Sequence, residues 1–97
     1  MNITEKILEV AKHIGEITAE KNEKYGNSVG VTERILSILY PLGIRPDQYQ
    51  DAFLIIRILD KINRIATDAD AFGENPFLDI AGYGLMGEVL RKKEEKE

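Results

Sequence analysis

The chain has 97 residues, 43% of them hydrophobic, a net charge of −4 and no cysteine. That length allows one domain with a small core, and the missing thiols exclude a disulfide scaffold, a zinc knuckle and a cysteine nucleophile. The acidic balance argues against a nucleic-acid partner, whose binding draws on many Lys and Arg contacts to phosphate, and no uncharged apolar run approaches the roughly 20 residues that span a membrane.

Residues 3–24 are predicted as a first helix. Ile3, Ile7, Val10, Ile14 and Ile17 mark one face, and Glu5, Glu9, His13, Glu16, Glu20 and Glu23 mark another. Met1–Leu8 carries Glu5 and Lys6, so no secretory leader is expected, and a cytoplasmic location fits the lack of cysteine. Glu20-x-x-Glu23 has the spacing of a magnesium-binding pair, but its neighbours make it the wet side of an amphipathic helix. His13, the only histidine, lies on that same face, which leaves no base for a Ser-His-Asp set. Lys21 and Asn22 flank the apolar face and point nearer the interior.

Tyr25–Gly30 is expected as a loop, with two glycines to stop the helix. Thr32 is the expected N-cap of a short second helix over roughly 33–40, ended by Pro41 and Gly43. Pro46 opens a third helix reaching about Ala69. Residues 70–75 form a loop, and Asn75 and Pro76 cap and open a fourth helix over about 76–93. Residues 91–97 read as a solvated charged tail. The expected architecture is a single all-α domain, 1–97: a bundle of three long helices and one short one. Segments 52–65 and 77–90 are too apolar for the outer helices of a small monomer. A homo-oligomer, a dimer or larger even-numbered assembly, is therefore expected to cover part of them.

The third helix carries the most informative pattern. At about 100° per residue, Asp60, Lys61 and Arg64 fall within roughly 60° of the direction of Arg57, and apolar residues fill most of the remaining circumference. Three cations and one carboxylate suit phosphate oxygens, arginine with a planar fork and lysine with a mobile point charge. The same spacing also suits a solvated face with intrahelical ion pairs. On the fourth helix Asp79 shares a mostly apolar face with Gly82, Tyr83, Met86 and Leu90. There a carboxylate needs a cationic partner from the third helix, or a metal ion. Gly82 and Gly84 each cost up to about 1 kcal/mol relative to alanine, which close helix packing or a ligand against the backbone would offset. There is no P-loop and no GxGxxG.

Three short blocks, in order, resemble one family. Lys21-Asn22-x-x-Tyr25-Gly26-x-Ser28, Arg57-x-x-Asp60-Lys61-x-x-Arg64 and Asp79-x-x-Gly82-Tyr83 are similar to the motifs of nucleotide modification associated domain 1, a small helical family of phages and bacteria. The resemblance implies a role in nucleotide metabolism and distant kinship with the all-α MazG-like nucleoside triphosphate pyrophosphohydrolases. Those enzymes hold Mg²⁺ with ExxE and ExxD pairs on neighbouring helices. Here Asp79 stands for the last acid, Pro76 sits where its glutamate partner would be, and Asp60 with Arg64 replaces an ExxE pair. By this resemblance Asp60 and Asp79 are the candidate catalytic and Mg²⁺-holding residues. Arg57, Lys61 and Arg64 would contact the phosphates of a nucleotide ligand. Lys21, Asn22 and Tyr25 would close the site from the first helix, and Tyr83 would offer a stacking edge. Metal-assisted hydrolysis to a monophosphate and pyrophosphate is one expectation. Sequestration of a signalling nucleotide without turnover is another, and a purely structural helical oligomer is a third.

Overall fold

The structure, a computed structural model, describes residues 1–68, 70 and 73–96, the last four as backbone. The described residues form four helices and no strand: α1 (Ile3–Lys24), α2 (Ser28–Leu39), α3 (Tyr49–Asp68) and α4 (Pro76–Lys96). A 3₁₀ turn, Pro46–Gln48, leads into α3. The all-α expectation holds.

Local chemistry sets the boundaries. Asn2 and Glu5 form a capping box on α1: the Asn2 carboxamide accepts from the Glu5 N–H at 2.8 Å, and the Glu5 carboxylate accepts from the Asn2 N–H at 3.3 Å. Asn75 caps α4 by accepting from the Leu78 N–H at 3.2 Å, with Pro76 in the first helical position. The second helix starts earlier than expected. Gly26 and Asn27 both take left-handed conformations, φ 69° and 54°, which reverses the chain within two residues. The helix is then under way at Ser28, and the Val31 N–H donates to the Asn27 carbonyl at 3.1 Å. Thr32 is therefore not an N-cap; it is a buried residue of the helix interior. Gly30 is used for its missing side chain, since a Cβ there would come within 2.6 Å of the Asn27 amide nitrogen.

Pro46 opens the 3₁₀ turn rather than α3 itself. The expected loop holds at Asp70, Glu74 and Asn75, while Gly73 belongs to a 3₁₀ turn; Ala69, Ala71 and Phe72 lie outside the described residues. At the other end α4 runs to Lys96, past the expected end near 93, because nothing in the charged run breaks a helix. Arg91 and Lys92 stay exposed there as expected, and Glu97 lies outside the described residues.

Helices α3 and α4 form an antiparallel pair that meets turn by turn. Asp51 faces Arg91 at 4.0 Å, Leu54 lies 3.5 Å from where a Cβ on Gly87 would sit, Arg57 meets Tyr83, and Lys61 meets Asp79. Gly87 is thus the glycine of closest approach. Gly82 and Gly84, expected to pack or to meet a ligand, have nothing within 4 Å of an added Cβ. Helix α2 packs on α3 beside this pair.

The core is very small. Thr32, Ala52, Arg64 and Pro76 are buried, and the largest fully buried side chain is an arginine, not a hydrophobe. Phe53, Ile62, Phe77, Leu78, Leu85, Met86 and Val89 are exposed. Every residue of α1 is exposed as well, including the face that its periodicity reads as buried. The helix leaves the rest of the molecule and gives it a long dimension of 59 Å against 30 and 26 Å.

Candidate functional site

The charged stripe of α3 runs from solvent into the fold: Arg57 is exposed, Asp60 and Lys61 are half-buried, and Arg64 is buried. Each of its members takes a partner from outside α3. The Arg57 Nε donates to the Tyr83 hydroxyl at 3.1 Å, and its guanidinium lies 5.6 Å from the centre of that ring. That hydrogen bond to Tyr83 holds the Arg57 guanidinium above its ordinary range. Asp60 accepts from the Ser28 hydroxyl at 2.5 Å. Lys61 reaches Asp79 at 3.5 Å. Among the described residues no ion pair joins two members of the stripe, so the intrahelical pairing that the spacing allowed is not what forms.

Arg64 is the extreme case. It is 2% exposed. Its Nη1 donates to the Glu74 carboxylate, and its guanidinium lies 5.8 Å from the centre of the Tyr25 ring. Its Nε and Nη2 are buried and have no hydrogen-bond partner among the described residues. A buried cation with two idle donors is costly, because desolvation of each unmet N–H is not offset.

These side chains converge on one cleft of roughly 360 Å³, lined by Tyr25, Ser28, Val29, Arg57, Asp60, Lys61, Arg64 and Glu74. The turn at its mouth is fastened to α3. Asn63 donates through Nδ2 to the carbonyls of Tyr25 and of Gly26, the second at 3.1 Å. Gly26 sits so close to α3 that a Cβ would overlap the Thr67 hydroxyl. A second, apolar hollow of roughly 640 Å³ adjoins the cleft along α2. It shares Val29 and Asp60 with it, and Thr32, Leu36, Tyr40 and Ile56 also line it. The Thr32 hydroxyl is buried there without a partner among the described residues.

Of the residues singled out by sequence, Arg57, Asp60, Lys61, Arg64 and Tyr25 meet in the cleft wall. Asp79 and Tyr83 stand behind it as partners of Lys61 and Arg57. Lys21 and Asn22 are exposed and do not line it. Their carbonyls hold the turn instead, accepting from the N–H groups of Tyr25 at 2.9 Å and Asn27 at 3.0 Å. The closing role expected of them falls to Ser28 and Val29. Ser28 stood in the first motif block without an assigned role. Glu74 had no signal at all, being a loop residue ten positions from its partner Arg64.

Asp60 and Asp79 are each engaged by a donor side chain, and among the described residues no three carboxylate or imidazole groups converge. No described helix is long and apolar enough to cross a membrane.

Fold and site together define an all-α protein with a cation-lined cleft between a helical hairpin and a glycine turn. No protein-family model, curated protein or solved structure matches the chain.

Proposed function

We propose that the chain is a nucleotide-binding protein that holds a phosphate group in the cleft of Arg57, Lys61 and Arg64. The observation that carries this reading is Arg64: a fully buried guanidinium whose Nε and Nη2 have no hydrogen-bond partner among the described residues, in a cleft that two further cations line. A purely structural salt-bridge cluster has no use for unmet donors, whereas a phosphate that displaces the Glu74 carboxylate uncovers these sealed nitrogens and meets them with charge-assisted hydrogen bonds. The adjoining apolar hollow offers the nucleoside a wall of Val29, Leu36, Tyr40 and Ile56, in keeping with the mostly apolar lining of small-molecule sites. The family resemblance points to the same ligand class and to phage nucleotide metabolism.

Retention without turnover has a specific observation in its favour. The two candidate catalytic acids, Asp60 and Asp79, are already held by Ser28 and Lys61. In this reading Asp60 orients the binding groups, and Mg²⁺ arrives with the nucleotide, held mainly by its phosphates. Pyrophosphohydrolysis is the competing chemistry and would need both carboxylates released.

The test is mass spectrometry of small molecules released from natively purified protein, followed by thermal shifts with phosphate, pyrophosphate and a panel of ribo- and deoxyribonucleoside phosphates. A saturating ligand at about 100 times its Kd adds about 2.7 kcal/mol of stability. No shift with any phosphate compound, and none carried through purification, would overturn the reading. Pyrophosphate release with Mg²⁺ from the bound species would replace sequestration with hydrolysis.

A further inference from the structure

We propose that α1 is a dimerisation arm that pairs antiparallel with the α1 of a second copy of this chain. The inference is independent of what the cleft binds.

Ile3, Ile7, Val10, Ile14 and Ile17 follow one another at alternating steps of four and three residues, the seam of a coiled coil. All five are 41 to 72% exposed. A 22-residue helix that packs so little on its own body is marginal in water, where most helical stability comes from burying an amphipathic face. The seam therefore calls for a partner helix.

The charges beside the seam identify that partner as a second copy. Lys6, His13 and Glu20 recur every seven residues along one edge, while Thr4, Ala11 and Thr18 form an uncharged opposite edge. Turned about a two-fold axis near Lys12, two copies set Ile7 against Ile17 and Val10 against Ile14, each contact occurring twice. The same register places Lys6 beside Glu20 at both ends and leaves no like-charged lysines opposed. Ile3 then lies under the aliphatic stem of Lys21, whose ammonium still reaches water. Shifting the register by one heptad leaves seam residues unmatched and separates Lys6 from Glu20. A parallel pair would oppose Lys21 and Lys24 each to its own copy, give Lys6 only Ala11, and bring both bodies to one end. The antiparallel pair carries the bodies to opposite ends, where the Lys24 of each keeps its ion pair with Asp68 at 3.8 Å.

The chain has no cysteine, so single cysteines report orientation directly. Full-length Ile7→Cys and Ile17→Cys proteins, mixed and mildly oxidised, are expected to give the mixed disulfide, with little self-linking of Ile7→Cys. Self-linking of Ile7→Cys, or no linking in any combination, would overturn the proposal. A charge exchange supplies a second readout by analytical ultracentrifugation. Lys6→Glu or Glu20→Lys alone is expected to weaken the dimer roughly three- to tenfold, and the double variant K6E/E20K to restore it. Failure of the double variant to restore it, with helicity unchanged, would equally overturn the antiparallel register.

Discussion

Arg64 sits where an apolar side chain would serve stability better. Replacing buried ionic groups by hydrophobes of similar volume is often neutral or stabilising by 1–4 kcal/mol, and here two of the guanidinium's nitrogens have no partner among the described residues. Arg64→Met is therefore expected to raise the melting temperature of the ligand-free protein while abolishing its shift with phosphate compounds. A destabilised variant with an intact ligand shift would show that Arg64 serves only the fold. Asp79 behaves differently, because its ion pair with Lys61 is 40% exposed on the acid's side. Asp79→Asn should cost less than about 1 kcal/mol in urea titration, and a much larger loss would mark Asp79 as a core element. At Asp47 the hydrogen bond from Arg45 holds the carboxyl below its ordinary value of 3.8. A depressed folded value means that the pair contributes above the unfolded value and is lost as pH falls through the folded one. An NMR titration should find the Asp47 midpoint below 3.8, returning toward that value in Arg45→Ala.

At the scale of elements, the site depends on how the 25–27 turn is fastened to α3. Gly26 combines a positive φ of 69° with direct contact on Thr67. A left-handed conformation costs a non-glycine residue about 1–2 kcal/mol, and the overlap with the Thr67 hydroxyl adds to it. Gly26→Ala is expected to destabilise the protein by more than that range and to detach Tyr25 and Ser28 from the cleft. Chemical denaturation and tyrosine side-chain NMR check both effects. The charged stripe of α3 was legible because a 3.6-residue period places Arg57, Asp60, Lys61 and Arg64 on one face whatever surrounds them. Of its partners Asp79 was legible, as a carboxylate on an apolar face that needs a cation from α3; Ser28, Glu74 and the hydrogen bond to Tyr83 were not, since they reach the stripe from three other parts of the chain. The start of α2 was misplaced for a related reason: glycines read as helix breakers are used here for a tight reversal and for a side-chain-free contact.

The whole molecule is under-buried for its length. Its radius of gyration is 17.7 Å, against about 12–13 Å for a compact domain of this size, and Ala52 is the one hydrophobic residue among the described residues counted as core. So little apolar burial does not offset the conformational entropy of ordering the chain. Folding is therefore expected to be coupled to association, with a melting temperature that rises with protein concentration. A concentration-independent transition across a hundredfold dilution would show that the single chain is stable by itself.

Sequence alone determined the helical class, the caps at Asn75 and Pro76, the two opposed faces of α1 and the common direction of the α3 charges. Each follows from local hydrogen bonding and from the period of the helix, which act over a few residues. The tertiary structure decided what those faces meet. It turned the α3 stripe into a cleft by folding the 25–29 segment and Glu74 against it, buried Arg64 against that loop glutamate, and left the apolar face of α1 open. Such outcomes depend on which distant surfaces come together, which hydrogen bonding and periodicity over a few residues do not specify.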